Sequence, residues 1–166
     1  RTKIAKKNNA DIFISLHADH HRNPRIRGIS LYTLSENASD KEAAALARRE
    51  NRSDLIDGVD LSSETSEVTS ILLDLTKRET LNQSSSLVNF LVKSLRKDMN
   101  LLQRTHRYAG FAVLKSLDIP SVLIEMGYLS NKNDSKLLMS NEYHKKLSDK
   151  LMKGVIDYFT WKDQNN

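Results

Sequence analysis

The sequence predicts a domain of the α/β class, with a mixed and twisted sheet that carries helices on both of its faces. Two short apolar runs, at residues 12–16 and 119–124, have the length and composition of buried strands. Several longer segments repeat apolar residues at the three- and four-residue spacing of amphipathic helices. Ligands of such folds bind beyond the carboxyl ends of strands, so we expect the functional residues to follow the two apolar runs.

The first apolar run lies in residues 10–19, which read Ala-Asp-Ile-Phe-Ile-Ser-Leu-His-Ala-Asp. In an extended chain Ile14 and Leu16 share one face, and Phe13 and His17 share the other. Because both faces are largely apolar, we predict an interior strand that is covered on both sides. This strand would deliver the His17 imidazole to its carboxyl end.

The second apolar run lies in residues 118–131 and ends in a carboxylate, Glu125, which Gly127 follows at once. A buried carboxylate is costly unless it is paired or protonated. A bound cation or a role in proton transfer would relieve that cost at Glu125. An arginine or a set of backbone amides could satisfy the carboxylate equally well, and the sequence leaves these alternatives open.

The elements around the first strand follow from local signals. Residues 1–8 are predicted to be the last turns of a helix, with basic residues near its end. The polar segment 20–28 is predicted to be a loop, and residues 28–35 alternate as a strand does. Ser39 or Asp40 would cap a helix over residues 41–56.

Two further helices are predicted before the second apolar run, at residues 61–80 and 84–99, after Gly58 has ended the preceding helix. The first of them would carry an apolar stripe of Val68, Ile71, Leu72 and Leu75, and the second a stripe of Leu87, Val88, Leu91, Val92 and Leu95.

The polar segment 103–110, which contains His106, is predicted to be a loop, and residues 111–114 a short strand or turn. Ser130 or Asn131 would begin a helical segment. Asn141 would begin the last helix, with a frayed polar tail at 162–166. Its predicted apolar face consists of Tyr143, Leu147, Leu151, Val155 and Phe159.

The length of the chain, 166 residues, suits one domain with a core, and we expect residues 1–166 to form a single domain and a monomer. The formal net charge of +5 fits either an ordinary solvated surface or attraction to an anionic cell wall. The basic residues are scattered and not interleaved with aromatic ones, so we expect no nucleic-acid binding. The absence of cysteine excludes disulfides and a thiolate zinc site. No apolar run approaches the roughly 20 residues of a membrane span.

Taken together, residues 10–19, 28–35 and 119–131 resemble the zinc-dependent N-acetylmuramoyl-L-alanine amidases of the type-3 cell-wall amidase family. The resemblance extends from the start of the chain to about residue 161. It implies hydrolysis of the amide bond that joins N-acetylmuramic acid to L-alanine in peptidoglycan. It also implies that an upstream strand and two further zinc ligands are missing from this chain, because neither motif is present.

The resemblance implies a role for each of the two strand-end residues. His17 would bind Zn²⁺, and Glu125 would be the general base that works beside the metal. Asp19 would orient the histidine or complete the loop, and a direct ligand role is less favoured. His17 and His20 are three positions apart, and in an extended chain such positions point to opposite faces and cannot bind one metal. His20 and His21 are therefore interpreted as exposed loop residues.

His106 and His144 are interpreted as surface residues, because no pattern in the sequence supports a functional role for either.

The resemblance also gives residues 41–83 a role, that of the inserted regulatory segment found in cell-division amidases of this family. In that branch, an inserted glutamate fills the open metal position and shuts the enzyme off. Glu50 is the first candidate for this glutamate and Glu67 the second. A LytM-type activator would then have to displace the helix.

These expectations describe an exported, periplasmic enzyme of cell separation whose signal segment is not in this chain. An alternative hypothesis is a non-catalytic fragment or homologue that binds cell wall or a partner protein through the inserted helix. A third, a basic nucleic-acid-binding domain, would require steeply salt-dependent binding to DNA.

Overall fold

The computed structural model describes residues 2–56, 67–115 and 118–165, and the side chains of residues 4–52, 74–115 and 118–165. Its strands are β1 (Phe13–His17), β2 (Ile29–Leu34), β3 (Leu101–Ala109) and β4 (Ser121–Glu125). Its helices are α1 (Thr2–Lys7), α2 (Lys41–Ile56), α3 (Glu67–Leu95), α4 (Lys132–Leu138) and α5 (Asn141–Asn165), with a 3₁₀ turn at Ala112–Leu114. Gly58 and residues 61–66 of the predicted elements lie outside the described residues.

The four strands form one sheet in the order β1-β4-β2-β3. The predicted α/β class, a mixed sheet with helices, is confirmed. Strand β4 lies between two neighbours, and all five of its residues are buried, as its apolar sequence predicts. The hydrogen bond from the Ile29 amide to the Asn100 carbonyl, 2.8 Å, joins the start of β2 to the residue that precedes β3.

The prediction that β1 is an interior strand is wrong for the sheet that the described residues form. Strand β1 lies at one end of the strand order, and Leu16 is 54% exposed. The apolar residues on both faces of β1 suggested a central place, but the fully buried β4 occupies it. An apolar composition alone does not distinguish a central strand from its immediate neighbour.

The predicted loop at residues 103–110 is also corrected, since β3 runs through it. Arg107 and Ala109 are buried whereas Tyr108 is exposed, which is the alternation of a strand. The strand lies at an end of the described sheet, where polar and charged residues are common. Local polarity therefore indicated a loop where tertiary pairing makes a strand.

Helix α3 is one continuous helix, although the sequence predicted two with a break after Thr80. Ser84, which was to begin the second helix, is buried and lies inside the helix. Its hydroxyl donates to the Thr80 carbonyl one turn earlier, at 2.8 Å, and accepts the Ser121 amide at 2.9 Å. The polar run was therefore a tertiary contact and not a helix boundary.

The two predicted stripes on α3 have different outcomes. Leu87, Val88, Leu91 and Leu95 are fully buried, as predicted, whereas Val92 is only half-buried. Leu75 of the earlier stripe is 58% exposed. The side chains of Val68, Ile71 and Leu72 lie outside the described part of the structure.

Helix α5 begins at Asn141, as predicted, and continues to Asn165 through most of the tail expected to fray. Its buried residues are Leu147, Leu151, Gly154 and Tyr158. The predicted face had continued in steps of four to Val155 and Phe159, which are only half-buried. Because an α-helix has 3.6 residues per turn, a series taken in steps of four gradually rotates away from the core. The buried positions are therefore 154 and 158, and not 155 and 159.

The chain divides into two compact units, and the first comprises Arg1–Ser15, Tyr32–Ser84 and Arg107–Val122. In this unit the start of α2 is anchored by a partly buried ion pair between Arg107 and Asp40. Asp40 also caps the helix, as predicted, by accepting the Ala43 amide at 2.8 Å. Burial favours a higher pKa for Asp40, but the bonds from Arg107 and Ala43 outweigh it and lower the pKa to about 2.

Further along α2, Asn51 ties the helix to the segment around the 3₁₀ turn. Its side-chain amide donates to the Gly110 carbonyl at 2.8 Å, and its Oδ1 accepts the Ala112 amide at 2.7 Å. The two bonds use both the donor and the acceptor of the Asn51 side chain, and they fix the rotation of α2 about its own axis. Glu50, the preceding residue, is half-buried.

The second unit comprises Leu16–Leu31, Ser85–His106 and Leu123–Asn166. In it, α3 and α5 pack closely at Gly154, because a Cβ there would lie 2.9 Å from the Leu91 Cα. The Phe90 ring lies 6.3 Å from that of Tyr158 and 5.8 Å from that of Trp161, centroid to centroid. No helix of the described residues is both long and apolar enough to cross a bilayer.

Candidate functional site

The carboxyl ends of β1 and β4 meet at one edge of the sheet. The Phe13 amide donates to the Pro120 carbonyl and the Met126 amide to the His17 carbonyl, both at 2.9 Å. The starts of the two strands are therefore paired with each other, as are their ends, so the strands are parallel. His17 and Glu125 consequently lie at the same edge, as the sequence predicts.

Glu125 is fully buried, and a backbone amide binds one of its carboxylate oxygens. The Asp19 amide donates to Glu125 Oε1 at 2.7 Å, and the Leu129 amide donates to the Asp19 carbonyl at 2.8 Å. The two segments that leave β1 and β4 are thus joined beyond the strands themselves. A hydrogen bond from an amide to a carboxylate favours the ionised form, which is the form a general base requires.

His17 and Asp19 each bring a possible metal-ligand atom within 4.8 Å of the other, and both residues are half-buried. Imidazole nitrogen and carboxylate oxygen are ligands that zinc takes in proteins. The pair fits part of a zinc donor set, since a small rotation of the side chains would bring two atoms within this limit onto the same cation. The sequence had favoured an orienting role for Asp19, and this distance also permits direct binding.

The turn that follows Glu125 requires glycine. Gly127 has φ of +146°, and a Cβ built there would lie 3.2 Å from Asp134 Oδ2. Either condition disfavours a side chain, and together they explain why glycine follows β4 so closely.

Two of the remaining histidines were correctly interpreted as exposed, His20 and His144. His21 was not, because it is half-buried, its amide donates to Ser130 Oγ at 3.0 Å, and its ring meets the Tyr128 ring edge-on at 5.4 Å. His106, which was also interpreted as a surface residue, is instead half-buried on β3, and burial lowers its pKa.

The two regulatory candidates lie on different helices. Glu50 lies on α2 with a half-buried side chain. Glu67 is the first residue of α3, and its side chain lies outside the part of the structure that is described. The proposed role of each glutamate remains a prediction.

Two residues near the site were not singled out from the sequence. Asp134, the third residue of α4, accepts backbone amides from two other segments. Tyr143, interpreted as a core residue, donates its hydroxyl to the Met126 carbonyl at 2.7 Å. Burial, together with the charge of Asp134, raises the pKa of Tyr143 to about 12. The Asn131 cap, confirmed at the start of α4, was the only sequence signal near them.

Comparison with known proteins gives one consistent family. The family described as N-acetylmuramoyl-L-alanine amidase matches residues 1–157. N-acetylmuramoyl-L-alanine amidase AmiA of Salmonella typhimurium is 36% identical over 164 residues, which are 98% of this chain and 57% of that protein. AmiA of Escherichia coli is 35% identical over 164 residues, which are again 98% of this chain and 57% of that protein. The chain therefore spans little more than half the length of these curated relatives.

The solved structures agree on the fold. The chain matches the N-acetylmuramyl-L-alanine amidase Ami1 of Mycobacterium smegmatis with a TM-score of 0.59 and 17% identity, over 94% of this chain and 57% of that one. At this identity the likeness concerns the fold alone.

Proposed function

The chain belongs to the N-acetylmuramoyl-L-alanine amidase family, and from this premise we propose that it hydrolyses the amide bond between N-acetylmuramic acid and L-alanine in peptidoglycan. The observation that carries the proposal is the buried Glu125 carboxylate at the strand edge that also bears His17. A buried carboxylate that accepts a backbone amide, beside a possible metal ligand, is the arrangement that amide hydrolysis with an activated water needs.

Zinc is the proposed cofactor, and the donor chemistry of His17 and Asp19 supports it. His17 would hold the metal through a ring nitrogen, and Asp19 would either bind it directly or orient the histidine. A zinc ion bound there would lower the pKa of its water and polarise the scissile carbonyl.

Glu125 would carry the proton in the proposed reaction. Its carboxylate takes a proton from the attacking water, whose oxygen forms a bond to the carbonyl carbon of the lactyl group. When the carbon–nitrogen bond breaks, Glu125 gives this proton to the departing amine of L-alanine. The Asp19 amide, bonded to Oε1, would hold the carboxylate in place during both transfers.

The test is release of muropeptides from purified peptidoglycan by the zinc-loaded protein, with zinc content measured separately. We expect the wild type to release them and Glu125→Ala to bind zinc but release none. Asp157→Ala, at an exposed ion pair of α5, is the matched control and should be fully active. Full activity in Glu125→Ala would reject the mechanism.

Residues 41–83 are proposed to regulate the enzyme, within a single catalytic domain over 1–166. By resemblance, Glu50 or, as second choice, Glu67 would occupy the open metal position in the resting state. The anchoring of α2 by Asp40 at its start and by Asn51 further along the helix supports a rigid inserted helix. A LytM-type activator would release it, which suits a periplasmic enzyme of cell separation.

Basal activity distinguishes the two glutamates. Glu50→Gln should raise muropeptide release without an activator by about tenfold or more, because it removes a competing ligand. Glu67→Gln serves as the comparison and should leave the basal rate unchanged. The opposite result would assign the role to Glu67, and no increase in either variant would reject both.

The alternative function is a non-catalytic protein that binds cell wall or a partner. It predicts that the wild type sediments with insoluble peptidoglycan without releasing muropeptides, and that Glu125→Ala binds equally well.

A further inference from the structure

The carboxylate of Asp134 is buried in α4, where only 3% of the residue is exposed. One of its oxygens, Oδ2, accepts the Gly28 amide at 2.7 Å and the Tyr128 amide at 3.2 Å. The other oxygen lies 3.4 Å from Arg27 Nε in an ion pair. We call the Asp134 carboxylate with the Gly28 and Tyr128 amides the Asp134 clamp.

The carboxyl ends of β1 and β4, with His17 and Glu125, form what we call the catalytic edge. The two amides of the Asp134 clamp belong to the two segments that leave this edge. Gly28 closes the loop that begins after His17, and Tyr128 belongs to the turn that begins after Glu125. A single oxygen atom therefore connects the end of the histidine loop to the glutamate turn.

Tyr128 lies between the two bonds that join this turn to β1 and its extension. On one side the Met126 amide donates to the His17 carbonyl, and on the other the Leu129 amide donates to the Asp19 carbonyl. Asp134 holds the turn at a point between these two bonds. A displacement of the Tyr128 backbone would therefore change the geometry of both hydrogen bonds.

The turn is restrained at a further point by a different helix. The Tyr143 hydroxyl donates to the Met126 carbonyl at 2.7 Å, and a Cβ at Gly127 would lie 3.2 Å from Asp134 Oδ2. Residues 126–128 are thus held in sequence by α5 and α4.

We propose that Asp134 is a positioning residue for the amidase reaction, which keeps Glu125 aligned with His17 and Asp19 by clamping the amides of Gly28 and Tyr128. The inference rests on the proposed function for its catalytic consequence. Asp134 acts through the backbone and touches no reacting atom. Alignment of a general base within a fraction of an ångström can decide a large part of the rate.

The experiment compares Asp134→Ala, Asp134→Asn and the exposed control Asp149→Ala in the zinc-loaded protein. The readouts are kcat and KM for muropeptide release and hydrogen exchange at individual amides. Asn retains an oxygen that can accept both amides, whereas Ala retains none. If Asp134→Ala does not fold, Asp134→Ser replaces it, because a serine hydroxyl is too short to reach both amides.

We expect Asp134→Ala to lower kcat by about 10- to 100-fold while KM stays within about twofold. Asp134→Asn should recover most of kcat. Exchange should also accelerate by about fivefold or more at the Met126 and Leu129 amides, which do not contact Asp134. These two amides report whether the effect spreads to the bonds of the catalytic edge.

Faster exchange confined to Gly28 and Tyr128, with unchanged kcat in the folded fraction, would overturn the proposal and leave Asp134 a local structural residue. The exchange measurement requires no catalysis. An inactive wild type would therefore reject the amidase function, while the amides of Met126 and Leu129 would still decide whether the Asp134 clamp controls the catalytic edge.

Discussion

The Asp19 amide donates a 2.7 Å hydrogen bond to Glu125 Oε1, and this bond joins two segments 106 residues apart in the chain. It brings the residue two positions after His17 into contact with the carboxylate at the end of β4. The candidate ligand and the candidate base are therefore fixed relative to each other by the backbone. The first prediction uses a variant of Glu125 that retains this contact.

Glu125→Gln should fold normally and lose its activity. A glutamine oxygen can still accept the Asp19 amide, but the amide group cannot take a proton from water. We expect kcat to fall by about 10²- to 10⁴-fold with little change in the thermal midpoint. Muropeptide release and thermal unfolding measure the two effects on the same preparation.

Glu125→Asp provides the comparison for that prediction. It retains a base but is one methylene shorter, so it should lose the contact with the Asp19 amide and regain only part of the rate. Activity in Glu125→Gln close to that of the wild type would show that another group carries the proton.

His17→Ala should lower zinc affinity without unfolding the protein. The residue is half-buried at the end of a strand, and its carbonyl, which accepts the Met126 amide, is retained in the variant. Loss of one nitrogen ligand should weaken binding by at least about 10- to 100-fold, measured by competition with a chelator. The exposed His144→Ala is the matched control, and equal zinc binding in both variants would exclude His17 as a ligand.

Asp40→Asn should destabilise the fold, most strongly near neutral pH. It retains the helix cap but removes the charge that faces Arg107, whose side chain is only 5% exposed. We expect a loss of about 3 kcal/mol in the free energy of unfolding.

The pH dependence of that loss follows from the lowered pKa of Asp40, about 2. A depressed carboxyl pKa stabilises the fold above the unfolded value of about 4, and this contribution disappears as the pH falls through about 4 to about 2. The wild type and Asp40→Asn should therefore converge in stability across this window, as measured by denaturant unfolding. A difference that stays constant from neutral pH to about pH 2 would exclude this ion pair as its origin.

Gly154→Ala should force α3 and α5 apart. The added methyl would lie 2.9 Å from the Leu91 Cα and 3.0 Å from its Cδ2, and a backbone atom cannot be relieved by a change of rotamer. Overpacking costs about 1–3 kcal/mol, and the better helix propensity of alanine offsets up to about 1 kcal/mol of it. Ser148→Ala, at an exposed position of α5, controls for propensity, and a stabilised Gly154→Ala would contradict the close packing.

Helix starts could be predicted from the sequence because their signals are local. Asp40 and Asn131 cap α2 and α4 with side chains that reach amides two or three residues away, and the predicted bounds of α2 agree with the structure. Such bonds depend on nearest neighbours in the chain, which the sequence states directly.

The strand at residues 103–110 and the continuity of α3 could not be predicted in the same way. Strand β3 exists because β2 pairs with it, and Ser84 remains helical because it binds both Thr80 and Ser121. Both outcomes depend on partners that are distant in the chain, and a local pattern of polar residues cannot identify them.

The sequence by itself determined that His17 and Glu125 end two apolar strands, since alternation and composition define a buried strand and its last residue. Only the tertiary structure decided that Asp19, Asp134 and Tyr143 fix the segments beyond those strands. The physical reason is the sequence separation of the interacting residues, because the signals for strands and caps act between residues only a few positions apart. The hydrogen bonds that shape the candidate site join residues far apart in the sequence, and these residues come together only when the chain folds.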